Sequence, residues 1–283
     1  VILVTGATGN VGRALGAQLA AEGKSVRVTS RDPASATFPD GVEAVRADLD
    51  DPSTLPAALE GVEAVFLMGY GDELVQQVQN MVDAATAADV GRIVFLSSAS
   101  VGQKAPHGIG ATHRRAEEAI EASSLGWTFL RPGPFSSNAL WWSPALKAGD
   151  TVVRHPFGNV AVTPIHPGDI AAVAALALGS DDHAGKAYLL TGSEPLTPEE
   201  QLAVLAKVLE RELVFEAMTV DEARGFLEGL FAEPDDDVVQ STLEELLDDQ
   251  PPWIRPSGVA EELLGRPTKT FHEWAVENAA AFR

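Results

Sequence analysis

Two hydrophobic patterns alternate along the first two thirds of the chain. Short apolar or alternating runs at residues 1–5, 24–30, 42–46, 62–68, 92–97 and 127–131 read as strands. Between them, residues 13–21, 53–60, 72–89 and 110–124 carry apolar positions at helical spacing. The runs at 62–68 and 92–97 are almost wholly apolar, which suits parallel strands covered on both faces. This βα alternation predicts right-handed crossovers and a doubly wound α/β sheet. Further strands are predicted at 160–165 and 187–191, on either side of an alanine-rich helix at 170–178. After Gly192 the alternation stops. Helices are predicted at 198–211, 220–231, 238–247, 259–264 and 271–282, with a short strand at 213–217. The division expected is a nucleotide-fold domain over 1–191, with 133–159 contributing to a substrate pocket, and a smaller, mostly helical lobe over 192–283.

The first strand runs straight into Thr5-Gly-Ala-Thr-Gly-Asn-Val-Gly12, and a helix follows at once. Strand, glycine turn and helix in that order describe a dinucleotide cradle of the Rossmann type. Gly6 permits the tight turn, Gly9 lets the backbone approach a pyrophosphate, and Gly12 lets the helix pack close on the strand. The phosphates would rest on the unpaired N–H groups at the helix start. Gly6, Thr8, Gly9, Asn10, Val11 and Gly12 are therefore candidate cofactor contacts.

The second strand addresses which dinucleotide. NAD sites place an acid about twenty residues past the glycines, to bind the ribose 2′-hydroxyl. Here that place holds Ser30 and Arg31. A guanidinium pairs with a 2′-phosphate in a forked geometry, so the expected cofactor is NADP(H) in preference to NAD(H). Arg13 is a second candidate cation. Asp32 follows Arg31 and, with Pro33 at a first helical position, reads as the cap of a further helix. In a doubly wound sheet the ligand lies beyond the carboxyl ends of the strands. That adds Asp48, Leu49, Met68, Gly69 and Ser97 to the cofactor set. Asp48 is placed either to meet the adenine amine or to close a strand-end turn. Gly69 and Gly71 would let the backbone approach the cofactor ribose.

Composition narrows the partners. The net charge of −21 opposes broad binding to nucleic acid or to an anionic membrane, since both need a positive field. Acidic runs at 233–237 and 244–249 are interleaved with or flanked by apolar residues and read as a loop and a solvated helix face. With no cysteine, disulfides and thiol chemistry are excluded. No metal-ligand spacing occurs among His107, His113, His155, His166, His183 and His272. No run reaches transmembrane length, and a cofactor fold without a visible export signal leads to a cytoplasmic expectation. Either a monomer or a homo-oligomer is compatible with the apolar residues of segment 271–282.

Four segments together resemble the short-chain dehydrogenase/reductase superfamily, and within it the atypical NmrA-like group. They are the glycine loop, Ser97-Ser-Ala-Ser-Val101, Thr128-Phe-Leu-Arg-Pro-Gly-Pro-Phe-Ser-Ser-Asn138, and Ile165-His-Pro-Gly-Asp-Ile-Ala171. The resemblance implies a Rossmann domain and either NADPH-dependent quinone reduction or cofactor sensing without turnover. It also implies nicotinamide contacts from the sixth-strand segment, here Pro132 and Phe135. The superfamily's usual proton donor is the Tyr of a Tyr-x-x-x-Lys pair. The chain has two tyrosines, Tyr70 and Tyr188, and neither has Lys four residues on. In the corresponding place stands His113-Arg-Arg-Ala-Glu117, whose ends share a helix face. His113 is the candidate acid, with Glu117 orienting it and Ser98 hydrogen-bonding the substrate oxygen; the alternative is a surface His–Glu pair. A quinone or similar conjugated carbonyl spreads its charge and demands less of an acid than a simple ketone does. Tyr70, Asn138, Trp141 and Trp142 are the candidate walls of a pocket for a flat, aromatic or conjugated small molecule. His166 reads as a structural histidine and Asp169 as a helix cap.

Overall fold

The computed structural model describes residues 1–71, 73–103, 108–156, 160–230, 239–240, 243 and 252–283. The described chain divides into two compact units. The first comprises Val1–Val101, Ala111–Pro132 and Pro167–Leu189; the second comprises Gly102–Gly110, Gly133–His166 and Leu190–Arg283.

The first unit is built on a seven-stranded sheet. In chain order the strands are β1 (Ile2–Val4), β2 (Val26–Ser30), β3 (Val42–Arg46), β4 (Ala64–Leu67), β5 (Arg92–Leu96), β6 (Gly126–Pro132) and β8 (Lys186–Leu190). Across the sheet they run β3-β2-β1-β4-β5-β6-β8. The pairings of β1 with β2 and β4, of β2 with β3, and of β5 with β4 and β6 are all parallel. The order reverses direction at β1, and a ligand crevice opens at such a switch point. Helices α1 (Asn10–Ala21), α2 (Leu55–Ala58), α3 (Leu74–Ala87), α4 (Gly108–Glu121) and α6 (Pro167–Gly179) belong to the βα alternation.

Successive strand residues point to opposite faces, and both faces are covered. Leu3, Val65, Leu67, Ile93, Phe95 and Phe129 pack with Leu55, Ala58, Val78, Met81, Ala116 and Ile120 from α2, α3 and α4. Helices α1 and α6 pack against each other. Helix α6 is apolar nearly all round, with Ile170, Ala171, Val173 and Ala174 all buried, as a helix between sheet and helix must be.

The second unit has its own core. A two-stranded parallel sheet pairs β7 (Val152–His155) with β9 (Val214–Ala217). Trp142, Leu146, Val153, Leu205, Phe271, Trp274 and Phe282 form the buried cluster around it. Helix α7 (Pro198–Leu209) and helix α10 (Phe271–Glu277) each open on a capping box, Thr197 with Glu200 and Thr270 with Glu273. Short helices α5 (Ser143–Lys147) and α9 (Val259–Leu264), together with α8 (Val220–Leu230), complete the described elements. No helix among the described residues is long and apolar enough to cross a membrane.

Several local expectations change. Residues 160–165 are not a strand; only isolated bridges, Val162 with Leu196 and Phe135 with Ile165, occur there. Pro164 lacks the N–H that a ladder needs. Asp32 caps no helix: its Oδ1 accepts the Ala34 N–H at 3.2 Å within a tight turn. Asp169 lies inside the first turn of α6, which starts at Pro167. The α-helical part of 271–282 ends at Glu277, and a 3₁₀ turn completes it. Strand β7 and helix α5 were not legible from periodicity. Most of the helix expected at 238–247, both acidic runs and His107 lie outside the described residues.

His155 supplies a pH test. Burial holds its imidazole down to about 3 from the usual 6.5, with the Trp142 ring edge-on at 5.6 Å. The unfolded chain binds this proton below pH 6.5 and the folded chain does not, so the fold loses stability as pH falls from 6.5 toward 3. The slope contributed is about 1.4 kcal/mol per pH unit at most. His155→Phe is expected to flatten the acid side of the melting-temperature profile relative to wild type; parallel profiles would show that His155 is protonated in the fold.

Candidate active site

At the carboxyl ends of β1, β2, β3 and β4 the first unit encloses a cavity of about 460 Å³. Gly6, Thr8, Gly9, Ser30, Arg31, Asp48, Leu49, Met68 and Tyr70 are among its lining residues.

The cavity floor follows from close approach. Gly6 sits at φ +62°, the left-handed region that favours glycine. Its carbonyl accepts the Gly9 N–H at 2.9 Å and closes the turn. A Cβ on Gly12 would fall 2.4 Å from that same carbonyl oxygen, so only glycine lets α1 sit this close. Gly9 is the N-cap of α1 and has no side chain to cap it; the first helical bond is Arg13 N–H to Gly9 C=O. The N–H groups of Asn10, Val11 and Gly12 thus have no partner within the helix and form an anion seat. Thr5 ties this turn to its neighbour, donating to the Phe66 and Met68 carbonyls and accepting the Met68 N–H at 2.7 Å.

The walls come from the next strand ends. Arg31 is exposed, with its guanidinium carbon 5.7 Å from the centre of the Tyr70 ring. Asp48 Oδ1 accepts the Asp50 N–H, so its carboxylate shapes the strand-end turn while it lines the cavity. Arg13 is exposed on α1 and is not among the lining residues. Gly69 packs against α3: a Cβ there would meet the ends of the Leu74 and Gln77 side chains, Cδ1 at 2.6 Å and Oε1 at 2.8 Å, which would have to shift. Gln77 was missed by sequence reasoning, although a polar residue within the apolar stripe of α3 was the available signal. It is buried, accepts the Tyr70 N–H at 3.0 Å, and donates to Asp50 Oδ1 at 2.9 Å.

Beyond β5 a second polar cluster is assembled. Glu117, fully buried on α4, receives Arg131 Nε at 2.9 Å and Arg131 Nη2 at 2.6 Å on its two oxygens, and the Ser97 hydroxyl at 2.6 Å. Arg114 stands 3.6 Å away. These contacts do not support Glu117 as the group that orients His113; they fasten α4 to the ends of β5 and β6. Ser97 is committed to the same cluster. One turn earlier on α4, the His113 ring stacks on buried Phe95, 6.2 Å between centroids. Ser98 donates to Ser100 Oγ at 3.2 Å and accepts the Ser100 N–H.

Within the second unit, Phe135 precedes a 3₁₀ stretch, Ser136–Trp142, anchored by Ser136 N–H to the Ile165 carbonyl. Trp142 is buried in that unit's core, whereas Trp141 is exposed and tilts toward Phe226 at 6.4 Å. Asn138 is half-buried, as is Phe135, and Pro132, at the end of β6 in the first unit, is buried. His166 is structural, with Nε2 3.1 Å from Glu277 Oε2.

A Cβ-excluding turn, free helix N–H groups and a cavity walled by an exposed arginine fit an adenine dinucleotide. A model of the family described as NAD(P)H-binding matches residues 6–181. The chain belongs to this NAD(P)H-binding family. It is 38% identical to the (4-alkanoyl-5-oxo-2,5-dihydrofuran-3-yl)methyl phosphate reductase of Streptomyces griseus, over 100% of this chain and 99% of that one. It is 32% identical to the NAD(P)H azoreductase of Xenophilus azovorans, again over 100% and 99%. The solved NADPH complex of the quinone oxidoreductase QOR2 from Escherichia coli matches with a TM-score of 0.76 and 27% identity, over 98% and 99% of the two chains. The resemblance drawn from the glycine loop and strand ends therefore extends over the chain, which is an NAD(P)H-dependent oxidoreductase with a Rossmann fold.

Arg131→Met leaves the Glu117 carboxylate buried without its fork, a change expected to cost about 3–5 kcal/mol in chemical denaturation. Adding Glu117→Gln should recover much of that loss. A cost below about 1 kcal/mol for Arg131→Met would show that water reaches the carboxylate.

Proposed function

We propose that the protein uses NADPH to reduce a small conjugated acceptor, a quinone or a related conjugated carbonyl compound. The observation that carries this reading is the fate of the acid pair. The place of the Tyr-x-x-x-Lys donor is held by His113 and Glu117, and Glu117 is locked to Arg131. His113 then stands at the donor's place as a weak acid, while Glu117 is committed to Arg131. Such a site suits an acceptor whose added electron pair is delocalised, because protonation of a localised alkoxide is not required in the same step. The named relatives support this: a dihydrofuranone, an azo compound and a quinone all offer a conjugated bond to hydride.

When bound, the dihydronicotinamide supplies the hydride. The chain's own residues bind and orient. The N–H groups of Asn10, Val11 and Gly12 receive the pyrophosphate. Arg31 takes the 2′-phosphate, since Asp32 is turned into its own loop. Asp48 and Leu49 border the adenine. Phe135 is assigned to the nicotinamide, His113 to the substrate oxygen as hydrogen-bond and proton donor, and Asn138 and the exposed ring of Trp141 to the substrate. Trp142 serves packing, and Tyr70 belongs to the cofactor end.

Two experiments test the reading. NADPH oxidation with quinones, conjugated ketones and simple ketones is expected to favour the conjugated compounds by roughly a hundredfold or more. His113→Ala should lower kcat by roughly tenfold to a hundredfold without altering NADPH affinity. Tight NADPH binding with no turnover of any acceptor would instead support a redox sensor that distinguishes the two cofactor forms. For the cofactor, Arg31→Ala is expected to weaken NADPH binding roughly tenfold to a hundredfold and NADH binding hardly at all. Equal loss for both would remove Arg31 as the phosphate partner.

A further inference from the structure

We propose that Tyr70 determines cofactor specificity: its ring, carried on a loop whose backbone Gln77 holds, positions the Arg31 guanidinium for the 2′-phosphate. The inference rests on the assignment of Arg31 to that phosphate. An exposed arginine samples many rotamers, and each must be given up when a phosphate is gripped in a forked geometry. A guanidinium within about 6 Å of an aromatic centroid is attracted to the ring's negative face. Arg31 lies 5.7 Å from the Tyr70 centroid, and both residues line the cavity. The neighbouring Asp32 carboxylate is engaged in its own turn, where Oδ1 accepts the Ala34 N–H.

The loop that carries the ring is held by buried chemistry. Tyr70 follows β4 on a loop close to α3, where a Cβ on Gly69 would press on the ends of the Leu74 and Gln77 side chains. The Tyr70 N–H is fixed by Gln77 Oε1, and the other end of that buried amide is fixed by Asp50. Gln77 thus joins the loops after β3 and β4, and Asp50, Tyr70 and Gln77 all line the cavity. Half of Tyr70 remains exposed, which is the cost in apolar surface of keeping a ring beside the guanidinium.

The test is direct titration of both cofactors by fluorescence at fixed ionic strength. Tyr70→Leu keeps apolar bulk and removes the π face. It is expected to raise the NADPH Kd about three- to fivefold and to leave the NADH Kd within about twofold. Tyr70→Phe should match wild type for both, since the ring and not the hydroxyl acts. In an Arg31→Ala background, Tyr70→Leu should have no further effect on NADPH. Equal weakening of both cofactors by Tyr70→Leu, or no change in either, would overturn the proposal while Arg31→Ala still discriminates. Should Arg31→Ala itself weaken both cofactors equally, the parent assignment fails and the proposal with it.

Discussion

Everything at the carboxyl edge of the sheet depends on how closely one helix can approach one turn. The missing side chain of Gly12 lets α1 rest on the Gly6 carbonyl, where a Cβ would lie 2.4 Å from oxygen. That contact fixes the direction of α1, and with it the three N–H groups that leave the helix unpaired. It also fixes the turn from which Thr5 reaches across to Met68. A larger residue at position 12 would displace the helix start and the strand-end turn together, so the anion seat and the switch point of the sheet are one constraint.

Around that contact, buried polar groups pin the remaining strand ends. Gln77 links the loops after β3 and β4, and Glu117 with Arg131 and Ser97 links α4 to β5 and β6. Each is a satisfied polar group in a low-dielectric setting, where an unsatisfied one would be costly. Their shared effect is to hold loops rigid without covering the cavity. Glu117, four residues on from His113 on the same helix, is thereby engaged in holding the fold.

The protein's charge sharpens the point. At −21 its long-range field repels a polyanionic dinucleotide. In the proposed mode, binding relies on short-range groups: helix N–H donors, and a guanidinium beside an aromatic ring. Local geometry, and not net charge, selects the ligand.

The glycine loop, the parallel sheet and the cofactor class were legible in the sequence, because each follows from local rules. Only glycine fits a positive φ or a near-zero approach, continuous apolar runs require cover on both faces, and a strand-turn-helix order places phosphates at a helix start. Gly6, Arg31, Asp48, Leu49 and Met68, which line the cavity, were named from such rules. Residues whose roles depend on distant neighbours were not legible. Helix spacing put Glu117 beside His113, but the chain brings Arg131 onto the same carboxylate from β6. Tyr70, free of any motif, lies beside Arg31, which follows a different strand. Periodicity could not separate Trp141 from Trp142, since a 3₁₀ stretch buries one and exposes the other. Sequence by itself determined the cradle and its ligand class, because those rest on backbone space within a few residues. Tertiary structure alone decided which charged and aromatic side chains face that ligand, because their partners arrive from elsewhere in the chain.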